Sequence, residues 1–172
     1  MRPLFIVLFI LSSVSFISAQ DTIKVVQDEE TGKPMLIGSC TRQAFSDTSY
    51  SWWFDSEYKS YNPDTVTVKE IEYNLDGVKT TIVMGTWCSD SREQVPRFFK
   101  VMDEAGYNKD NVSIICVDRK RKDLTGAVDS LDIKLVPTFI FYRDGNELGR
   151  IVESPKQTIE EDIYDIIKEG TE

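Results

Sequence analysis

The order of strand-like and helical segments after residue 63 constrains the fold of this chain more than any other feature. Residues 79–84 and 112–117 are short runs rich in β-branched residues and typical of buried strands. Residues 138–142 and 147–152 flank a polar turn with the dipeptide Asp-Gly, which is typical of a β-hairpin. Segments with helical spacing precede, separate and follow these strands, so the order α-β-α-β-α-β-β-α predicts an α/β domain. We expect three layers, with helices flanking a central mixed sheet that ends in the hairpin.

Helices are predicted from apolar spacing and from residues that start or stop helices. The longest is expected over residues 89–105, which a glycine follows. Asn-Pro at 62–63 predicts the start of a helix before the first of these strands. A short helix is expected over 124–131, and Ser-Pro at 154–155 is expected to open the last one.

The segment before residue 63 has a different character. Residues 21–39 predict a further β-hairpin, because two β-branched or apolar runs flank a polar turn. Residues 45–61 are dense in aromatic side chains, which we interpret as a short helical pair packed on the sheet. The alternative is an exposed lip that binds an unfolded substrate. The aromatic residues are Phe45, Tyr50, Trp52, Trp53, Phe54, Tyr58 and Tyr61.

The first nineteen residues have the pattern of a secretory signal peptide. Arg2 supplies a positive start, residues 4–11 are apolar, and a serine-rich stretch ends at Ala19. Cleavage is expected between Ala19 and Gln20. A membrane anchor is the alternative, but the apolar stretch is shorter than the roughly 20 residues that a spanning helix needs.

These observations divide the chain into a signal peptide at 1–19, an N-terminal extension at 20–62 that packs on the core, and a domain at 63–172. Export would place the mature protein in the periplasm or outside the cell, with no membrane span. The three cysteines would then lie where disulfides form and persist.

Composition excludes several functions. The formal net charge is −9, and an acidic chain repels nucleic acid and anionic membranes. The basic cluster at 119–122 is short, is flanked by aspartates and is interpreted as a solvated loop rather than an anion site. The chain has no histidine, so the usual catalytic triads and histidine metal sites are absent, and no metal or cofactor is expected.

Cys88 is the strongest candidate for a reactive group. It follows the strand at 79–84 and stands at the predicted start of a helix. Free N–H groups and the positive end of the helix dipole stabilise a thiolate there. The Ser91 hydroxyl is expected to donate a hydrogen bond to the sulfur, whereas the Asp90 carboxylate opposes the thiolate. The alternative is that Cys88 serves as a small hydrophobic residue.

Cys88 belongs to a longer pattern that resembles the thioredoxin family. That family has W-C-x-x-C, a proline five residues later, and a distant V-P-T followed by a strand and a turn. The resemblance covers roughly residues 64–169. The matching residues are Trp87, Cys88, Ser91, Pro96, Val136, Pro137 and Thr138.

The resemblance implies a role for each of these positions. Cys88 would be the nucleophile and Trp87 its flanking aromatic residue. Substrate would be bound by Trp87, Val136, Pro137 and Thr138, with a cis peptide bond before the proline and with backbone groups of Val136 pairing with an extended peptide.

Two departures from the family pattern matter. Ser91 stands where the family has its second, resolving cysteine, and Ile82 stands where it has a buried acidic residue. Without the second thiol, Cys88 can attack a disulfide, but its own motif cannot release the mixed disulfide. The resemblance therefore implies a single-cysteine CxxS variant.

The other two cysteines leave several alternatives open. Cys116 lies in a strand-like run and is interpreted as a packed core thiol. Cys40 follows the N-terminal hairpin. It could resolve a mixed disulfide at Cys88, bridge to Cys116 or stay free.

The leading hypothesis is monothiol exchange with disulfide-containing or thiol-bearing proteins, completed by an external thiol or by Cys40. The alternative is a non-catalytic module that binds a protein partner in the groove beside the proline. Peroxide reduction is disfavoured, because Gly85 stands where that chemistry needs a hydroxyl group and Arg92 is only a remote candidate for the activating arginine.

Overall fold

The computed structural model describes residues 23–169, so the predicted signal peptide at 1–19 lies outside the described residues. The strands are β1 (Ile23–Gln27), β2 (Pro34–Cys40), β3 (Val78–Met84), β4 (Val112–Cys116), β5 (Thr138–Arg143) and β6 (Asn146–Val152). The α-helices are α1 (Thr48–Ser60), α2 (Thr65–Tyr73), α3 (Ser89–Glu104) and α4 (Ile159–Glu169). Short 3-10 helices span Arg42–Ser46 and Lys109–Asn111.

The strands form one mixed sheet in the order β1-β2-β4-β3-β5-β6. β3 pairs in parallel with β4, and the other neighbouring strands are antiparallel. The predicted α/β fold, with a mixed central sheet, flanking helices and a terminal hairpin, is confirmed.

The two faces of the sheet are covered differently. Alternate residues of β3 point to opposite sides: Ile82 belongs to a large apolar core to which all four helices contribute, and Val83 belongs to a smaller one. In the large core the Phe98 ring stacks on Phe139 at a centroid distance of 5.2 Å. The smaller core is closed by Val128 and Val136, which lie in the segment between β4 and β5.

The N-terminal extension is part of the same sheet and the same core. β2 pairs with β4, and α1 packs against α3. Phe45 stacks on Phe54 at 5.3 Å, and Phe54 in turn meets Phe99 of α3 at 5.9 Å. Most of the aromatic stretch therefore packs as core, although the side chain of Trp52 is 63% exposed.

The helix predicted over 124–131 is wrong, since that segment is a series of turns. The Asp123 carboxylate accepts hydrogen bonds from the N–H groups of Thr125, Ala127 and Val128, as a helix cap would. However, Gly126 has a φ of +79°, in the left-handed region that a right-handed helix cannot use. Val128 is nevertheless buried, so the turns, like the expected helix, contribute an apolar side chain to the core.

The helix start predicted at 62–63 is two residues early. α2 begins at Thr65, and Asp64 is its N-cap, because the Asp64 carboxylate accepts from the N–H and the hydroxyl of Thr67. The Asn62 side chain instead donates to the carbonyl of Ser60.

The last helix begins at Ile159 rather than at 154–155. Thr158 and Glu161 form a capping box. The Glu161 carboxylate accepts from the N–H of Thr158, and the Thr158 hydroxyl accepts from the N–H of Glu161.

Among residues 23–169, no helix is long and apolar enough to cross a membrane.

Shared packing predicts that extension and domain unfold together. Phe45→Ala should lower the free energy of unfolding by about 3–5 kcal/mol, because it removes a fully buried ring. The free energy of unfolding is measured by urea denaturation, with tryptophan fluorescence and circular dichroism as the two signals. Val25→Ala is the control, because Val25 is 65% exposed. Separate transitions for the two signals would contradict the prediction.

Candidate functional site

Cys88 stands at the junction of β3 and α3. β3 ends at Met84, residues 85–87 form a short connection, and Cys88 occupies the N-cap position of α3. Its carbonyl accepts the helical hydrogen bond of Arg92 at 3.2 Å. The Cys88 side chain is half-buried, and its sulfur makes no capping hydrogen bond to the N–H groups of the first helical turn.

Hydrogen bonds from three directions hold this connection in place. The N–H of Gly85 donates to Ser91 Oγ at 3.2 Å, and the N–H of Leu36 in β2 donates to Thr86 Oγ1 at 3.1 Å. The indole N–H of Trp87 donates to the Val117 carbonyl at 2.9 Å.

Gly85 leaves room for the Trp87 indole. A Cβ atom built on Gly85 would lie 2.5 Å from Trp87 Cε2, closer than any real contact of that kind. A larger residue would displace the ring.

The structure brings Cys88 next to the V-P-T segment. The Cys88 thiol donates to the Val136 carbonyl at a sulfur–oxygen distance of 3.2 Å, and Asp90 Oδ2 lies 3.8 Å from the same sulfur. The Val136–Pro137 peptide bond is cis. Thr138 is buried, and its hydroxyl donates to the Leu135 carbonyl. This side chain therefore supports the V-P-T segment instead of facing the expected substrate groove beside Pro137.

Ser91 does not make the expected contact. Within residues 23–169, the hydrogen bonds of Cys88 Sγ go to Val136 and Asp90, whereas Ser91 is fully buried and accepts from Gly85. The hydroxyl therefore fixes the connection between β3 and α3, and its effect on Cys88 is indirect.

Arg119 is a site residue that sequence reasoning missed. Its guanidinium lies 5.0 Å from the centre of the Trp87 ring. It also binds both carboxylate oxygens of Asp28 at 2.8 Å and Glu30 at 2.8 Å. The sequence predicts a solvated loop for the cluster at 119–122, and it has no local signal that links Arg119 to a hairpin turn ninety-one residues earlier.

Asp28 is the buried partner in this ion pair. It is 2% exposed, and hydrogen bonds from Arg119 and from the Thr31 hydroxyl hold the pKa of its carboxyl well below the usual range. The turn of the N-terminal hairpin is thereby attached to the residue that stacks on Trp87.

A groove borders the site on the side of α1. It has a volume of about 330 Å³ and includes Ser89, directly after Cys88, together with Trp52 and Arg92. Arg92 Nε donates to the Thr86 carbonyl at 2.7 Å, which ties the groove to the connection that carries Cys88.

Cys40 and Cys116 lie together in the helix-covered core, whereas Cys88 packs against the smaller core on the other face. The two sulfur atoms are 3.7 Å apart. The hydrogen bond with Cys40, together with burial, raises the pKa of the Cys116 thiol well above its usual value.

The position that is acidic in the thioredoxin family is fully apolar here. Ile82 is completely buried, and its register partners are Ile114 in β4 and Phe139 in β5. No proton acceptor is available at this position. Residues 23–169 also contain no group of three or more histidine, cysteine, aspartate or glutamate side chains that could hold a metal ion.

Comparison with known proteins finds relatives among the thioredoxins. The chain is 25% identical to thioredoxin H9 from Arabidopsis thaliana over 138 residues, which cover 76% of this chain and 93% of that protein. It is 25% identical to thioredoxin from Gallus gallus over 100 residues, which cover 57% of this chain and 90% of that protein. No protein-family model matches the chain.

Solved structures share the fold. A Pseudomonas aeruginosa protein of unknown function matches with a TM-score of 0.56 and 15% identity, over 77% of this chain and 93% of that one. An HIV epitope-scaffold matches with a TM-score of 0.55, 15% identity and the same coverage.

The Asp28–Arg119 pair predicts an acid-dependent loss of stability. Because the pKa of folded Asp28 is lowered, its contribution is complete above the unfolded value near 3.9 and is lost as pH falls toward the folded value. Asp28→Asn should therefore lower the urea midpoint at pH 7, and its difference from the unaltered protein should shrink below about pH 4.

Asp144→Asn is the matched control, because Asp144 is exposed at the tip of the β5–β6 turn. A difference for Asp28→Asn that stays constant from pH 7 to pH 3 would contradict the prediction.

Proposed function

We propose that this chain performs monothiol thiol–disulfide exchange through Cys88. The observation that carries the proposal is the half-buried Cys88 sulfur at the N-terminus of α3, 3.2 Å from the Val136 carbonyl. The similarity to two thioredoxins supports thiol–disulfide chemistry in general. The single-cysteine mechanism rests on this chain's own residues.

The first step is attack by the Cys88 thiolate on one sulfur of a substrate disulfide. A bond forms between Cys88 and that sulfur, the substrate S–S bond breaks, and the other substrate sulfur leaves as a thiolate. The product is a mixed disulfide, and no net oxidation has occurred. Cys88 occupies the N-cap position of α3, where the helix dipole favours negative charge.

The second step needs a thiol from outside the motif. Ser91 supplies a hydroxyl in place of a second thiol, and the Cys40 sulfur faces Cys116. An external thiol or a free thiol of the substrate therefore attacks the mixed disulfide and releases Cys88. Such a cycle suits isomerisation and the removal of mixed disulfides.

Substrate binding is assigned to the surface around the sulfur. The Val136 carbonyl, which accepts from the Cys88 thiol in the resting protein, becomes available to an extended peptide when Cys88 turns to its substrate. Trp87 and Pro137 flank this position. Thr138 supports this surface from within, because its hydroxyl donates a hydrogen bond to the Leu135 carbonyl.

Export is part of the proposal. The pattern of residues 1–19 supports secretion to the periplasm or the cell exterior, where substrate proteins carry disulfides.

A second candidate function is a non-catalytic protein-binding module. The apolar Ile82 and the buried Ser91 favour it, because both positions lack the groups that complete the cycle in the thioredoxin family. Such a module would use the surface near Val136 and would not need the Cys88 sulfur.

Replacement of the nucleophile separates these functions. Cys88→Ala should reduce disulfide exchange with a folded disulfide-bonded protein to the uncatalysed rate and should abolish the mixed disulfide seen on non-reducing gels. Cys40→Ala, the matched control, should retain both, because Cys40 lies in the other core. Unchanged exchange in Cys88→Ala would contradict the proposal, and a partner retained without any exchange would support the binding module.

A second thiol should change how the mixed disulfide ends. Ser91→Cys places a thiol one helical turn after Cys88, so it should release trapped substrate without added thiol at least about tenfold faster than the unaltered protein. Release is measured by quenching with acid and separating the species by mass. Ser113→Cys adds an exposed thiol on β4 as the control. Rapid release by the unaltered protein without added thiol would show that the chain already resolves its mixed disulfide internally.

A further inference from the structure

Cys40 and Cys116 form a second pair of thiols that the proposed function does not use. Their sulfur atoms lie 3.7 Å apart in a core to which Tyr50 of α1 also belongs. Cys40 is 7% exposed and Cys116 is fully buried. Seventy-six residues separate them along the chain.

The register of the sheet places these two side chains next to each other. In the pairing of β2 with β4, Cys40 lies opposite Ile114 and Gly38 lies opposite Cys116, so the cysteines are diagonal neighbours on one face. Gly38 has no side chain to fill the position across from Cys116, and this leaves the Cys116 sulfur free to lean toward Cys40. Diagonal partners are farther apart than direct ones, yet these sulfurs need only approach from 3.7 Å to about 2.0 Å to bond.

We propose that Cys40 and Cys116 form an intramolecular disulfide that fastens the N-terminal hairpin to the central sheet, with a small-molecule disulfide as the oxidant. This inference does not depend on the activity of Cys88.

The reaction balances as two exchanges. A thiolate of Cys40 attacks the oxidant, forms a mixed disulfide and releases one small thiolate. Cys116 then gives up its proton and attacks the Cys40 sulfur. The protein disulfide forms, the mixed bond breaks, and the second small thiolate leaves. The two cysteines are oxidised and the oxidant is reduced to two thiols.

Exposure and protonation set the order and the speed. Cys40 is the more accessible sulfur, so it reacts first. Cys116 is buried, and its raised pKa keeps it protonated at neutral pH, so closure in the folded protein is slow. Oxidation should be faster when the bond forms during folding, before the core closes over the pair.

The disulfide also accounts for the odd number of cysteines. Pairing Cys40 with Cys116 leaves Cys88 as the unpaired thiol of an oxidised chain. Cys116 lies one residue before Val117, whose carbonyl accepts the hydrogen bond from the Trp87 indole. The disulfide would therefore also anchor the end of β4 that supports the site.

The test is peptide mapping of the Cys88→Ser variant after refolding in mixtures of reduced and oxidised glutathione. Free thiols are blocked in acid before digestion without reductant. We expect a linked pair of peptides containing Cys40 and Cys116, and a melting temperature about 5–15 °C higher than after reduction. The Cys40→Ala, Cys88→Ser double variant should show no difference between the two treatments.

A second mapping in the chain with all three cysteines guards against an effect of the Cys88 substitution. Linkage of Cys40 to Cys116 there, with Cys88 free or carrying glutathione, supports the proposal. Linkage of Cys40 to Cys88, or two free thiols at Cys40 and Cys116 at every glutathione ratio, would overturn it.

Discussion

The pairing of β3 with β4 on one side and β5 on the other is the constraint on which the rest of the molecule depends. In this register Met84 lies opposite Cys116 in β4, and Val83 lies opposite Thr138 in β5. Because β3 ends at Met84 while β5 begins at Thr138, the connection to α3 and the segment before β5 meet at one edge of the sheet. That meeting places the Cys88 sulfur 3.2 Å from the Val136 carbonyl. The geometry of the candidate site thus follows from strand register, since the two residues lie forty-eight positions apart.

The N-terminal extension supports this edge from the other side of β4. The N–H of Leu36 in β2 binds the hydroxyl of Thr86, and the hairpin turn holds Arg119 through Asp28. Arg119 in turn lies over the Trp87 ring. Both contacts end on residues next to Cys88, so the extension fixes the site as well as covering the core. A cross-strand bond between Cys40 and Cys116 would make that support covalent.

Sequence reasoning found the elements whose signals are local. The runs that became β3 and β4 are rich in β-branched residues, and α3 carries a regular apolar face, so type and place were predictable. The apolar spacing of the segment at 124–131 predicts a helix, but Gly126 in the left-handed region prevents one. The prolines at 63 and 155 predict starts for α2 and α4 that are too early, because the true caps are Asp64 and Thr158.

The residues of the candidate site likewise divide into those with a local sequence signal and those placed by tertiary structure. Motif spacing predicts Cys88, Trp87 and the V-P-T segment as site residues, whereas the Arg119–Asp28 pair depends on tertiary placement and has no local signature. The role expected for Ser91 differs because the Gly85 N–H, six residues earlier, occupies its hydroxyl.

The proposed role of Cys88 is tested most directly by the rate of alkylation at each cysteine of the folded, reduced protein at neutral pH, read by peptide mass spectrometry. We expect rapid modification of Cys88, because its sulfur is half-buried at a helix N-terminus, and much slower modification of Cys40 and Cys116, because both are buried. A folded protein in which Cys88 resists alkylation as strongly as the two core thiols would contradict this role for Cys88.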